Sequence, residues 1–511
     1  MIKKFKKIYN HLGSKKSNEH LGSELIPNKI VEVKEKLNKA FENCSDFVLR
    51  EIALDKDVRI IVAFIDGLVN NQNVNESIIR PLILYKGEDK CSIKFIKESI
   101  LNICQAKEVN DFNNTLDSIL SGDTIIYVDG QDSAIKCDAR GWEARSVQQP
   151  DTESVIRGPR DAFTETLSTN VALIRRRIKS TKLKFESMKI GRESKTDVCI
   201  AYIEGIADED IISTLRRRLS NIDVDAVLDS GMIEQLIEDG PSSIFPTVGS
   251  SERPDRVASR LLEGRVAIIC DGSPFVVTVP YLFIESIHVS EDYYSKPYFM
   301  SYTRAIRFLA LLTTTLLPAL YVAVSSFHVN IIPLELLLSM ASAAEGIPFS
   351  PFIESIAMMV VFEILREAGI RMPRPVGQAV SIVGALVIGE SAVAAGLVSS
   401  SMVIIVSLTA ISSFVVPSMN EVVTLLRIVC LIAANILGLL GVFFVLMVVV
   451  LHLVSLRSFG VPYLYPFSPL NIMDMKDAII RAPLWMMISR PLIFNHKNVQ
   501  RMKIKAMKKE D

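Results

Sequence analysis

The chain has 511 residues, and its 57 lysines and arginines balance 57 aspartates and glutamates, so the formal charge is zero. Such a length calls for more than one domain of about 100–200 residues, and the balance gives no global case for a nucleic-acid partner. The average hides a division: residues 1–300 carry most of the charge, whereas 305–457 read almost continuously apolar.

Residues 1–44 form a basic lead-in. "MIKKFKKIYNHLGSKK" is lysine-rich but lacks the apolar run of about 7–15 residues that a signal peptide needs. The expectation is a cytosolic head whose lysines either touch anionic lipid or form a solvated tail. Seven cysteines are scattered without a CxxC pair, as expected of core cysteines in a reducing compartment. Six histidines are equally scattered, with no HExxH, so no metal site and no cofactor is expected.

The next 250 residues repeat a pattern. "DVRIIVAFIDGL" from Asp57 is answered by "DVCIAYIEGI" from Asp197, each an apolar strand-type run ending in an acid and a glycine: Asp66-Gly67 and Glu204-Gly205. "LDSILSGDTIIYVDG" (Leu116–Gly130) is answered by "ASRLLEGRVAIICDG" (Ala258–Gly272), each a short helical pattern, a glycine, a strand and an Asp-Gly turn. The offsets are 138 residues (67 to 205) and 142 residues (130 to 272). Two pairs in one order at nearly one offset predict two related α/β subdomains, 45–148 and 182–300, joined by a helical linker at 149–181.

The linker helix carries Arg175–Arg177, and the second unit carries Arg216–Arg218. Without aromatic interleaving, these triplets read as solvated faces or inter-subunit salt bridges before phosphate binding. No phosphate loop, dinucleotide fingerprint or nucleophile elbow is present, so catalytic residues are not nominated and an enzyme is the weakest reading.

From 301 the chain reads as a polytopic helical membrane domain extending to 457. Spans of about 20 apolar residues are expected near 305–327, with Pro318 as a kink, and near 376–398, 401–417 and 426–456. The last is long for one upright crossing, so it tilts, kinks at Gly438 or Gly441, or begins in the interface. Between the first two, residues 334–368 set acids (Glu335, Glu345, Glu354, Glu363, Glu367) opposite apolar positions at helical spacing, as in amphipathic helices that are re-entrant, interfacial or inter-subunit. Residues 458–511 end in "KNVQRMKIKAMKK", a basic cytoplasmic tail that favours an even number of spans, here four. Arg366, Arg371 and Arg374 then fall on the far side, against the usual charge bias; a fifth crossing at 352–368 would put them inside but would require the long last segment to cross twice.

Within 376–398, Gly377, Ser381, Gly384, Ile388, Ser391 and Ala395 share a small-residue stripe suited to helix packing. Val383, Leu386 and Glu390 face away from it. A lone carboxylate facing lipid costs roughly 2.5–3.5 kcal/mol, so Glu390 seeks water or a partner. In a ring of subunits these three residues would line a pore, an acid ring selecting cations and apolar rings gating by dewetting. Alternatively, Glu390 sits near a helix end and pairs with an arginine of a neighbouring helix.

"DVCIAYIEGIAD", "LLEGRVAIICDGSPFVVTVP", "PRPVGQAVSIVGALVIGESAVAAG" and "FGVPYLYPFSP" resemble the A subunits of bacterial spore germinant receptors, the GerA family, over about 162–491. The resemblance implies a multi-pass protein of the spore inner membrane with its head in the cytoplasm. It also implies a transporter-like B subunit and a lipoprotein C subunit as partners, and a homo-oligomer, pentameric by expectation, forming a nutrient-gated cation channel. Competing readings are a secondary transporter component, whose inverted membrane repeats are not visible here, and a membrane-anchored scaffold without a pore.

Overall fold

Ile60, Val62 and Phe64 bury on one side of a strand while Ile61, Ala63 and Ile65 bury on the other. Successive side chains of a strand point to opposite faces, so a run that is apolar at every position belongs in the centre of a layered head. The computed structural model describes residues 24–54, 58–85, 92–103, 105–141, 150, 152–372, 387–494 and 498–502.

The first layer system begins with α1 (Ile30–Ala40), then β1 (Phe47–Ala53), β2 (Arg59–Ile65), β3 (Ala106–Val109), α2 (Phe112–Leu120), β4 (Thr124–Val128) and β5 (Ala134–Cys137). Its strands pair antiparallel in the order β1-β2-β4-β5-β3. Helices α1 and α2 cover one face, and short helical segments between 71 and 100 cover the other.

After α3 (Leu167–Arg177), the order recurs in β6 (Leu183–Ile190), β7 (Thr196–Ile203), α4 (Glu209–Ser220), α5 (Ser230–Ile237), β8 (Gly249–Ser251), α6 (Pro254–Glu263), β9 (Val266–Cys270) and β10 (Val276–Val279). This sheet runs β6-β7-β9-β10-β8, the same arrangement. Each acid-Gly pair follows a central strand at the equivalent point. Gly67, Gly130, Gly205 and Gly272 all have φ between +75° and +83°, a conformation glycine adopts without a Cβ clash.

The two sheets meet edge to edge. Ser45 N donates to Phe185 O at 2.9 Å and Phe185 N to Asn43 O at 3.0 Å. Arg175 locks the seam: its guanidinium donates to both oxygens of Asp46 at 2.9 and 2.8 Å and to the carbonyls of Ser180 and Leu183. Arg175 is fully buried, so the first member of its triplet is an internal clamp and not part of a solvated face. In the other triplet, Arg216 is fixed on Glu186 and Arg218 on Asp239.

The helical domain starts earlier than expected. Helix α7 (Pro297–Phe327) has 31 residues, about 46 Å at 1.5 Å each, with Pro318 buried inside it. Helix α8 (Leu334–Ala344) follows at the far end, then α9 (Pro351–Arg371), a helical stretch at 387–394, α10 (Ser400–Ser413), α11 (Asn420–Leu437) and α12 (Leu439–Ser455). The expected single span at 426–456 is thus two helices. Gly438 breaks it, with φ +60° and ψ −139°, a region essentially confined to glycine. The pair folds back on itself: a Cβ on Gly441 would lie 2.1 Å from the carbonyl oxygen of Ala433.

Contacts fix the direction of each helix. Val422 and Val423 at the start of α11, Leu453 at the end of α12, and Ala310 and Leu311 of α7 share one core with the second sheet. Gly438 instead abuts Phe327 and His328 at the far end of α7. Helix α9 starts far from the head, where Phe352 packs with Ala319, Val322 and Val442, and its Glu363 reaches Arg427 on the head-side half of α11. Helix α10 returns toward the head, where Ser418 donates to Ser286 O. Among the described residues, α7, α9, α10, α11 and α12 each run between the head end and the far end, so the stretch expected as one last span covers that distance twice. Arg366 and Arg371 come back to the head side.

The expected tail from 458 is a folded part of the head as far as the described residues go. β11 (Arg457–Ser458) and β12 (Val461–Pro462) form a hairpin, and Tyr463, Tyr465 and Phe494 bury in the core of the second sheet. Ser458 Oγ accepts from Tyr281 N at 2.9 Å and donates to Thr247 O at 2.6 Å. Aromatic residues spaced along 459–494 carry enough apolar surface to dock, which the basic terminal run obscures.

Candidate functional site

The helical domain turns its apolar side chains outward and several charges inward. On α9, Ile353, Val360 and Ile364 are exposed, whereas Glu354 is 3% exposed and Ser355 wholly buried. Of the acids noted along 334–368, Glu354 is thus buried and Glu363 half-buried, whereas Glu335, Glu345 and Glu367 are exposed. Outward apolar residues with inward acids suit a helix surrounded by lipid or by other apolar helices.

Glu354 Oε2 accepts from Ser399 N at 2.7 Å and from Ser399 Oγ at 2.8 Å. Ser399 caps α10, its Oγ also accepting from Met402 N. The carboxylate thus sits at a helix N-terminus, where backbone N–H groups favour negative charge. Nine residues along α9, Glu363 pairs with Arg427 at 2.7 Å and with Arg366 at 2.7 Å. Nη1 of Arg366 and Nε of Arg427 have no hydrogen-bond partner, so this trio holds two guanidiniums on one carboxylate.

Glu390 lies on the helical stretch 387–394, exposed, and makes no ion pair among the described residues. On the same turn, Gly389 is buried, with Val403 of α10 3.6 Å from the position of a Cβ. Ser391 of the expected packing stripe is exposed. Val383, Leu386, Gly377, Ser381 and Gly384 lie outside the described residues. A cavity of about 320 Å³ separates Ile388 and Gly389 from Phe362 and Arg366 of α9 and Ala410 of α10.

A second polar group joins this domain to the head. Arg304 of α7 donates from Nε to Asp292 at 2.7 Å and from Nη1 to Asp477 at 2.8 Å and to the Ala478 carbonyl at 3.1 Å. Arg307 takes the other oxygen of Asp292 at 2.8 Å. Arg304 and Arg307 thus tie α7 to the head and to the returning C-terminal segment. Arg427, Asp292 and Asp477 were not singled out in the sequence. A lone arginine at the head of an apolar run was the available signal for Arg427; nothing local marks the other two.

Residues 35–493 match the family model described as Bacillus/Clostridium GerA spore germination protein. The chain belongs to the GerA spore germination protein family. Among its relatives, spore germination protein KA of Bacillus subtilis is 44% identical over 458 residues, 89% of this chain and 84% of the relative. Spore germination protein GerLA of Bacillus cereus is 38% identical, covering 90% of this chain and 95% of that protein. The crystal structure of the N-terminal domain of the A subunit of the Bacillus megaterium spore germinant receptor GerK3 is 35% identical. It covers 51% of this chain and 98% of that one, with a TM-score of 0.41.

Within the GerA family the chain is an A-subunit homologue, with an α/β head and a helical C-terminal region. Among the described residues, two helical segments, Pro297–Phe327 and Pro417–Leu437, are long and apolar enough to cross a membrane.

Proposed function

We propose that this GerA protein is the A subunit of a nutrient germinant receptor that assembles as a homo-oligomer, pentameric by family resemblance, around a cation pathway. The membrane is the spore inner membrane, with the head on its cytoplasmic side. The partners are the transporter-like B subunit and the lipoprotein C subunit of the family. In this reading nutrient is sensed beside the chain, and the head and helical domain move as one body because they share a core.

The observation that carries the reading is Glu390. An exposed carboxylate with no ion-pair partner among the described residues, beside exposed apolar side chains, is costly in lipid and useful beside water. The head-side location of Arg366 and Arg371 agrees with a cytoplasmic head. Helices α11 and α12, which leave the head and come back to it, agree with head and C-terminal segment sharing a compartment. The stripe of Gly377, Ser381, Gly384 and Ser391 would then meet neighbouring subunits, with Val383 and Leu386 facing the axis.

The test is cation flux through liposomes containing the purified chain, alone and with its B and C partners. Wild type is compared with Glu390→Gln and Val383→Ala. Altered conductance or selectivity in either variant supports the pore. Equal flux in all three sinks the pore lining, loss of nutrient coupling alone favours a transporter component, and silence with partners present favours a scaffold.

A further inference from the structure

Where α6, the start of β9 and the returning C-terminal segment meet, the head holds a half-open cavity of about 210 Å³. At about 30 Å³ of liquid volume per water, that is room for about seven waters, or for one compact ligand. Its polar wall is made chiefly by Arg260, Arg265, Arg501, Glu263, Glu285 and Ser290. Two further charges on the wall are settled elsewhere, Arg256 on Glu153 and Asp255 on Arg253.

What remains is three guanidiniums for two carboxylates. Glu285 holds Arg265 and, at 3.2 Å, Arg260. Glu263 stands 3.7 Å from Arg265 and 3.8 Å from Arg501, beyond hydrogen-bond reach. One formal positive charge is left over on this wall. Burial, and then the neighbouring Arg256 and Arg265, push the Arg260 guanidinium down to about 10, as expected where cations are in excess.

Two donors are left over as well. Nε of Arg265 and Oγ of Ser290 have no hydrogen-bond partner, although both residues are more than nine-tenths buried. Buried donors without partners are rare because each forfeits its hydration. His288 donates Nε2–H to the Ala478 carbonyl at 3.0 Å, which leaves Nδ1 as an acceptor for a ligand proton or a water.

We propose that this cavity binds a small oxyanion, a carboxylate or a phosphate group, held by Arg265, Ser290 and Arg501. The anion supplies the missing negative charge and the missing acceptors together. Tyr293 lines the same cavity and donates its hydroxyl to Asp477 at 2.8 Å. Asp477 in turn holds Arg304, so the site lies one side chain from the anchor of α7.

The experiment is calorimetric titration of the purified full-length protein with inorganic phosphate and, separately, with acetate, at constant ionic strength against chloride. Saturable binding of at least one is expected, and which one binds separates a phosphate from a carboxylate site. Ser290→Ala and Arg501→Gln are each expected to weaken it about tenfold or more, the scale of a charge-assisted hydrogen bond. Arg501 is one-third exposed and loosely held, so its variant is expected to keep the ligand-free melting temperature even where an Arg265 variant unfolds. Absence of saturable binding for both anions, or equal binding in wild type and both variants, overturns the proposal.

Discussion

Arg304 and Asp292 are both wholly buried and meet 2.7 Å apart where α7 leaves the head. The pair is the knot of a larger network, since Asp292 also takes Arg307 and Arg304 also takes Asp477, 173 residues away in sequence. Removing one member leaves a buried charge uncompensated, which costs about 3–5 kcal/mol. Arg304→Ala is therefore expected to lower the unfolding free energy of the full chain by that amount. Arg304→Lys recovers little, because an ammonium cannot serve two carboxylates and a carbonyl in the guanidinium's planar geometry. Denaturant unfolding in detergent reads this directly, and a loss below about 1 kcal/mol, the scale of a surface pair, would show that the network is not a structural anchor.

The hairpin of α11 and α12 depends on close approach at Gly441. A methyl group there would sit 2.1 Å from the Ala433 carbonyl oxygen, and one on Gly438 2.8 Å from the His328 ring. Overpacking usually costs about 1–3 kcal/mol and more where backbone must move. Gly441→Ala is expected at or above the top of that range. Thermal unfolding and size-exclusion profiles of Gly441→Ala against wild type decide it. A variant as stable and monodisperse as wild type would mean that the two helices are not so closely packed.

Stability should also depend on pH near neutrality. Glu234 of α5 is raised to about 7, chiefly by burial and then by the nearby Glu238, Glu421 and Asp229. A carboxyl raised in the folded state binds a proton there that the unfolded chain has released. The folded state is thus favoured at low pH, and stability declines as pH rises from the unfolded carboxyl range toward about 7, then levels. Glu421 stands in the first turn of α11, so the proton bears on the contact between head and helical domain. Melting temperatures of wild type and Glu234→Gln between pH 5 and pH 8 are the measurement. A slope that persists unchanged in the variant would assign the dependence to another group.

The limits of sequence reading follow from particular residues. The strands holding Ile60–Ile65 and Val198–Ile203 are apolar at every position, and that marks central strands without any tertiary information. The acid-Gly pairs at 66–67 and 204–205 carry their own turn chemistry. For α9 the period was legible but its sense was not. Hydrophobic alternation shows that a helix has two faces, and the inward one depends on whether the surroundings are water or apolar.

Local chemistry in the sequence determined the family, the paired strand-turn signals, the apolar character of 305–457 and the glycine able to break the last run. Each of these is carried by neighbours within a few residues. Only the tertiary structure decided that the last run doubles back at Gly438, that residues 457–494 build part of the head, and that Arg175 and Arg304 are buried clamps. Those outcomes rest on partners 129 and 173 residues distant, Asp46 and Asp477. A charge becomes an anchor or a surface ornament according to what the fold brings against it, and no local pattern records that.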